Sequence, residues 1–221
     1  MPLRGKILEV EGGECSGKGT IIPFFKEVFA GKNVSFLREP GGTPMGEKLR
    51  DFLLYSKGLS IDALTEALLF YAPRSENVAT LVRPTVVQGM NWVFDRFSTS
   101  TEVYQFRARG HADMLDKFRI LDDLVVGDCK PDLTLYLDVL PEETMRRLRF
   151  GGRPDQISRF DAQPVEYHRK IREGYLEALK TRKHVTINTM ARPGESIPEC
   201  IERVKRESLK VACELFGINL S

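Results

Sequence analysis

Five short apolar segments, rich in β-branched and aromatic residues, predict buried strands: Lys6 to Val10, Val34 to Leu37, Asn91 to Phe94, Leu133 to Val139 and His184 to Asn188. Between them the pattern is helical. It predicts helices over Thr20 to Phe29, Gly46 to Tyr55, Ile61 to Gln88 with an interruption at Pro73 or Pro84, Asp113 to Val126, Pro141 to Arg149, Pro164 to Thr181 and Pro198 to Phe216. Strands alternating with helices imply an α/β fold, a mainly parallel sheet covered on both faces, with ligands gathering at the carboxyl ends of the strands.

With 221 residues, 42% of them hydrophobic, and no repeat, low-complexity tract or linker, the chain is expected to form one domain, 1–221. Its 33 basic residues against 31 acidic ones leave a net charge of +2, which removes any global case for nucleic-acid or membrane binding. Any basic site must be local. Met1 to Lys6 run straight into the first strand, leaving no room for a signal peptide, and no apolar stretch approaches the roughly 18 residues of a membrane span. A cytoplasmic protein is expected. Cys15, Cys129, Cys200 and Cys213 lack paired spacing, so they are expected to be reduced thiols. Cys15 is the one candidate for a lowered pKa, beside a helix N-terminus and Lys18, against the plainer reading of a spectator.

The chemistry begins after the first strand. Gly12-Gly13-Glu14-Cys15-Ser16-Gly17-Lys18-Gly19-Thr20 joins that strand to a helix in the layout of a phosphate-binding P-loop. Its glycines let backbone N–H groups crowd around phosphate oxygens, the helix aims its positive end at them, and Lys18 adds a point charge. One position departs from the usual pattern: Gly19 stands where a Ser or Thr hydroxyl holds Mg²⁺, and Thr20 follows.

Two more strands end in phosphate-type groups. The second leads into Arg38-Glu39-Pro40-Gly41-Gly42-Thr43-Pro44, a tight turn, and the third into Asp95-Arg96-Phe97. Arg38 and Arg96 could grip one phosphate with forked hydrogen bonds while Asp95 holds a metal-bound water or a reacting oxygen. A surface Asp95–Arg96 pair is the alternative. Phe70 becomes a base-stacking ring if Arg74, one helical turn on, faces the same cavity. The stretch from Arg149 to Asp161 combines Gly-Gly, Pro and three arginines, which suits either a mobile basic loop or a merely solvated one.

These motifs together resemble the thymidylate kinases, of the nucleoside-monophosphate kinase group. Glu11-Gly12, the Arg38 to Gly46 turn, Leu68-Leu69-Phe70 with Arg74, Asp95-Arg96-Phe97, Tyr104-Gln105, Pro131 to Val139 and Arg172 to Leu176 occur in that family's order. The resemblance implies a three-layer P-loop kinase fold with a five-stranded parallel sheet and a short lid at about 149–161. It implies transfer of the ATP γ-phosphoryl group to dTMP with Mg²⁺, in a homodimer formed through helices such as Gly46 to Tyr55 and Ile61 to Ala72. By position, Gly12 to Thr20 and Arg192 would contact ATP. Arg38 and Arg96 would hold the acceptor phosphate, Glu14 and Phe97 would lie near its sugar, and Phe70, Arg74, Thr101 and Gln105 would read its base. Asp95 would place the metal, with Thr20 contributing through water.

Some positions depart from the family. Cys15 occupies the place where some members carry a P-loop arginine, so the catalytic arginine is expected from the lid. Arg149, Arg153 and Arg159 are candidates and Arg153 is favoured. Glu14 is one methylene longer than the common Asp, and Phe97 lacks the hydroxyl of the more usual Tyr. These changes keep two alternatives open: a kinase preferring dUMP or a modified deoxyuridylate, and a catalytically weak nucleotide-binding regulator.

Overall fold

The computed structural model of the chain describes residues 4–56, 58, 60–151 and 158–219. Five strands, β1 (Ile7–Glu11), β2 (Val34–Arg38), β3 (Asn91–Asp95), β4 (Leu133–Asp138) and β5 (His184–Asn188), pair in the order β2-β3-β1-β4-β5. All the pairings are parallel. The expected α/β sheet is therefore present. Its register places Arg38 opposite Asp95 and Asp95 opposite Val10, so the ends of β2, β3 and β1 meet at one edge. The connections leaving β1 and β3 run in opposite directions, and in such sheets that divergence opens a crevice for ligands.

Successive side chains of β1 point to opposite faces. Leu8 and Val10 join the core beneath α1 (Lys18–Val28) and α9 (Ile197–Phe216), with Phe25, Phe29, Leu135 and Val204. Ile7 joins the other face, packed with Val78, Val82, Trp92, Phe94 and Phe97. The remaining helices are α2 (Pro44–Tyr55), α3 (Ala63–Asn77), α4 (Arg83–Val86), α5 (Ser98–Thr101), α6 (Leu115–Val125), α7 (Pro141–Gly151) and α8 (Val165–Leu179); α4 and α6 border that cluster through Val86 and Val125, and Thr99 of α5 and Tyr175 of α8 reach Glu9 and Glu11 on the same face of β1. Thr43 caps α2, its side chain accepting from the Gly46 N–H, and Ser196 with Glu199 forms a capping box on α9. Among the described residues no helix is long and apolar enough to cross a membrane.

The strand limits fall within a residue of those expected, but three helical features differ. Pro73 lies inside α3 without ending it. The interruption falls at Val78–Val82, a π-helical segment in which the Arg83 N–H reaches the Val78 carbonyl, so the helix is re-registered just before Pro84, which has no N–H to give. The segment Ser98 to Arg107, expected as no element, is a helix: α5 continues into a π-helical turn over Glu102–Arg107. Ser-Thr-Ser-Thr has weak helix propensity. Burial supplies the order, because Ser98, Thr99, Thr101 and residues 102 to 106 are all buried.

Candidate active site

Glu11 ends β1, Gly17 caps α1, and the loop between them turns the chain sharply. Gly12 has φ +154°, and a Cβ there would sit 2.7 Å from the Leu137 carbonyl oxygen, so no side chain fits. Lys18 is buried at the start of α1, where its Nζ donates to the carbonyls of Gly12 and Gly13 at 2.7 and 2.9 Å and to Ser16 Oγ at 3.2 Å. Burial, and then the Arg96 charge, bring its pKa down to about 8 against the pull of Glu14, Asp95 and Glu11. An incoming phosphate would favour the charged form of this lysine further.

The loop forms one wall of a cavity of about 300 Å³. Arg38, Asp95, Arg96, Phe97, Phe70, Arg74, Thr101 and Gln105 all line it, as do Glu14 to Gly19, so the structure brings most of the expected residues together. Gly12, Gly13, Thr20 and Arg192 are not among its lining residues. Thr20 is exposed on α1, and Arg192, in the β5–α9 connection, pairs with Glu207 of α9.

Arg96 is the most constrained cation. Its backbone has φ +68°, a left-handed conformation that a long side chain adopts only when its surroundings hold it there. Nη1 donates to the Gly12 carbonyl at 3.0 Å and to the hydroxyls of Ser100 and Tyr175 at 3.2 Å each, and Nη2 to Glu14 Oε1 at 3.0 Å. The guanidinium also stands 5.1 Å from the Tyr104 ring centroid. Glu14 takes a second bond from Tyr104 at 2.7 Å. Burial opposes its charge, yet Arg96, Lys18 and that bond hold its pKa below the usual carboxylate value.

Arg38 differs. It is half exposed and pairs with Glu47 of α2 at 3.2 Å, so its charge is free to be drawn onto a ligand. Arg50, also on α2, lines the same cavity and donates to the Pro40 carbonyl at 2.9 Å. Burial and the neighbouring Arg38 lower its pKa. Sequence reading passed over Arg50. The available signal was that a helix starting at Pro44 puts Glu47, Arg50 and Leu54 on one face.

Arg74 lies in a built socket. Its Nε pairs with Glu39 Oε2 at 2.7 Å, and its terminal nitrogens donate to Thr101 Oγ1 and to the Phe97 carbonyl. Burial works against its charge, but Glu39 outweighs that and raises its pKa. The same group thus locks the turn after β2 to α3 and α5, and it edges the cavity beside the half-buried Phe70. Gln105 points its amide to Glu66 at 3.1 Å. Phe97 is fully buried, its ring 4.4 Å from that of Phe94, so its main contribution is to pack the floor.

On the opposite side, Arg147 of α7 ties the loop to the β5–α9 connection through the carbonyls of Cys15 at 3.0 Å and Thr189 at 2.7 Å. Of the three lid arginines, Arg149 is exposed at the end of α7, and Arg153 lies outside the described residues. Arg159 pairs with Glu66 and donates to the Leu53 carbonyl at 2.6 Å, which anchors the end of that segment to α2 and α3. Ser158, Phe160 and Asp161 close that side of the cavity. Cys15 takes the plainer of its two readings: burial, then Asp161 and Glu14, push its thiol up to about 11, which suits a spectator and not an activated thiolate.

No group of three or more His, Cys, Asp or Glu that could hold a metal occurs among the described residues. Asp95, at the end of β3, lines the cavity and is a carboxylate that could hold a metal ion.

A family model described as thymidylate kinase matches residues 10–201. The thymidylate kinase of Marinomonas sp. (strain MWYL1) is 38% identical over 204 residues, covering 90% of this chain and 93% of the relative. That of Thermoanaerobacter sp. (strain X514) is 35% identical over 208 residues, covering 92% and 99%. The solved structure of thymidylate kinase from Ehrlichia chaffeensis superposes with a TM-score of 0.71 at 27% identity, covering 95% of this chain and 99% of the other. With the P-loop, the Arg38 turn and the Asp95–Arg96 edge converging on one cavity, the chain belongs to the thymidylate kinase family.

Proposed function

We propose that this protein transfers the γ-phosphoryl group of ATP to the phosphate of dTMP, giving ADP and dTDP. The observation that carries this reading is a single cavity lined by the P-loop, by Arg38, Arg50 and Arg96 with Asp95, and by Phe70, Arg74, Thr101 and Gln105. Two anionic reactants meet there, so positioning and charge neutralisation supply most of the rate. Lys18 would leave the loop carbonyls for the ATP phosphates, and Gly12 to Gly19 would offer backbone N–H groups. Arg96, already aimed by Glu14, Tyr104 and Ser100, would hold the acceptor phosphate together with Arg38 and Arg50. The acceptor oxygen is already ionised at neutral pH, so no general base is required. Asp95 would hold Mg²⁺, with Thr20 contributing through water; when bound, the ion offsets charge on the phosphates. Phe70 would stack on the base and Arg74 and Gln105 would meet its edge, while Glu14 and Tyr104 would lie toward the sugar. The lid side, with Arg149 or Arg153 supplying the donor-side charge, would exclude water.

Coupled ADP production with Mg²⁺ and ATP tests this on dTMP, dUMP, AMP, CMP and GMP in parallel. Turnover centred on dTMP is expected. Turnover centred on another acceptor would revise the base pocket, and silence on all five would overturn the reading. The same proposal includes a cytoplasmic homodimer. Leu64 and Leu68 on α3 and Ile120 and Leu124 on α6 are exposed apolar pairs one turn apart, suited to a partner copy. Light scattering during size exclusion should give twice the chain mass, and Leu68→Glu should give a monomer.

A further inference from the structure

The buried carboxyl groups of this fold are not equally served. Glu9, 1% exposed, accepts at Oε1 from Thr134 Oγ1 at 2.5 Å and from Thr99 Oγ1 at 2.7 Å, while its Oε2 is buried without a hydrogen-bond partner. Glu66 of α3, buried to the same degree, is crowded with donors. Its Oε1 receives Arg159 Nη2, and its Oε2 receives Arg109 Nη1 at 3.0 Å and the Gln105 amide nitrogen, Nε2, at 3.1 Å. Two guanidinium groups already neutralise this side chain, so the amide is a third partner that charge pairing alone does not require.

That third bond fixes which way the Gln105 amide faces. The two ends of an amide differ in hydrogen-bonding role, and a carboxylate held between two arginines can only accept. Nε2 must therefore turn to Glu66, and Oε1 must turn away from it. Oε1 accepts no hydrogen bond among the described residues, yet it is not one of their sealed, unpartnered polar atoms, which are Glu9 Oε2, Asn77 Oδ1, His168 Nε2 and Ser208 Oγ. It is thus open to the P-loop cavity, which Gln105 lines. Arg74 lines the same cavity with donor nitrogens and bonds Thr101, one helical turn before Gln105. The pocket therefore sets one acceptor, Gln105 Oε1, beside one cationic donor, Arg74. A 4-oxo pyrimidine presents the complement, an N3–H donor next to the O4 acceptor, whereas a 4-amino pyrimidine presents N3 as an acceptor next to N4–H donors.

We propose that Glu66 is a positioning residue that sets base specificity: by holding the Gln105 amide with Oε1 toward the cavity, it makes the site select acceptors whose base carries N3–H and a 4-oxo group over those with a 4-amino group. The inference rests on the functional reading above, in which Gln105 and Arg74 meet the edge of the base. Without Glu66 the amide is free to turn over and offer Nε2 to the N3 of a 4-amino base. With Glu66 in place, the same turn sets Oε1 against a carboxylate oxygen, two acceptors with no proton between them, and buries a carboxylate oxygen short of one donor. Glu66 is not among the residues that line the cavity, so it acts on the base through Gln105. The carboxylate is itself anchored on both sides, because Arg109 also donates to the Ile61 carbonyl at 2.8 Å and Arg159 to the Leu53 carbonyl at 2.6 Å.

The test compares kcat/KM on dTMP and on 5-methyl-dCMP, two acceptors that differ only in a 4-oxo group with N3–H against a 4-amino group with an unprotonated N3. Wild type should prefer dTMP. Glu66→Gln, whose amide can meet either end of the Gln105 amide, should lower the ratio of dTMP to 5-methyl-dCMP by about tenfold or more, with turnover of 5-methyl-dCMP rising in absolute terms. A merely structural role would lower both activities alike. Arg109→Met, which loosens the same cluster but keeps the bond between Glu66 and Gln105, should leave the ratio unchanged. Should Glu66→Gln not fold, Glu66→Asp, which keeps the charge and draws it back from the amide, should move the ratio in the same direction. An unchanged ratio in a folded Glu66 variant, an equal shift in Arg109→Met, or equal use of both acceptors by wild type overturns the proposal while leaving phosphoryl transfer to dTMP in place. A wild type inactive on dTMP overturns the functional reading and this inference with it.

Discussion

Glu9 and Glu11 sit two residues apart on one strand, face the same helix and are equally buried, yet they are built differently. Glu11 accepts four hydrogen bonds: from the Phe97 and Ser100 N–H groups at 2.9 and 3.1 Å, from Ser100 Oγ at 2.7 Å and from the Tyr175 hydroxyl at 2.8 Å. Two of those donors are backbone N–H groups at the free start of α5, where a carboxylate is favoured by the helix dipole and by otherwise unsatisfied donors. Glu9 meets the helix at Thr99, inside its first turn, where the available donor is a side-chain hydroxyl. The same residue type is therefore a finished joint at one position and an unfinished one two residues earlier. What decides is the alignment of each carboxylate with the helix terminus.

The largest effect should follow from removing the finished joint. Glu11→Ala leaves buried N–H groups of Phe97 and Ser100 without an acceptor, and urea unfolding should show a loss of about 3–5 kcal/mol. Next comes Arg96→Ala, since Ser100 and Tyr175, which bind Glu11, also position Arg96. Steady-state kinetics on dTMP should show a fall in kcat/KM of about a hundredfold or more, equivalent to roughly 2.7–4 kcal/mol of transition-state stabilisation. Its melting temperature should change little, and unfolding of this variant would count against the site assignment.

Glu9→Gln should act in the opposite direction. The folded-state pKa of Glu9 is about 7 and its ordinary value is 4.5, so the folded chain holds the proton more tightly and wild-type stability declines as pH rises between those values. Gln does not titrate. The variant should match wild type near pH 4.5 and exceed it at pH 8 by about 1–3 kcal/mol, which unfolding curves at both pH values would measure. The smallest effect belongs to Thr99→Val, which removes one hydroxyl from Glu9 Oε1: a loss of about 1 kcal/mol at pH 8 and a further rise in the Glu9 pKa, visible by carboxyl NMR titration. If Glu9→Gln destabilised at pH 8 as Glu11→Ala does, the contrast between the two carboxylates would fail.

The P-loop, the Arg38 turn and the Asp95–Arg96 edge were legible because glycine, proline and charged residues at strand ends carry local geometric meaning. The helix from Ser98 to Arg107 was not. Its serines and threonines favour turns by propensity, and it becomes a helix by burial between β1 and α8, with Glu9 and Glu11 beneath it. Arg50 was missed because a lone arginine on an amphipathic helix looks like any solvated one until the turn before α2 brings it to the cavity.

By itself the sequence determined the five parallel strands, the phosphate loop and the order of phosphate-type residues along one sheet edge, because hydrophobic periodicity and glycine conformational freedom act over a few residues. Only the tertiary structure decided which arginines are locked and which are free. Arg74 is held in place by Glu39 and Thr101 at the edge of the cavity, Arg159 is tied to Glu66, and Arg147 to the Cys15 and Thr189 carbonyls, while Arg38 is half exposed beside Glu47. The locked arginines owe their state to partners tens of residues away in the chain. The energy of a charged group is set by whatever the fold brings within hydrogen-bond reach, and neighbours in sequence do not specify it.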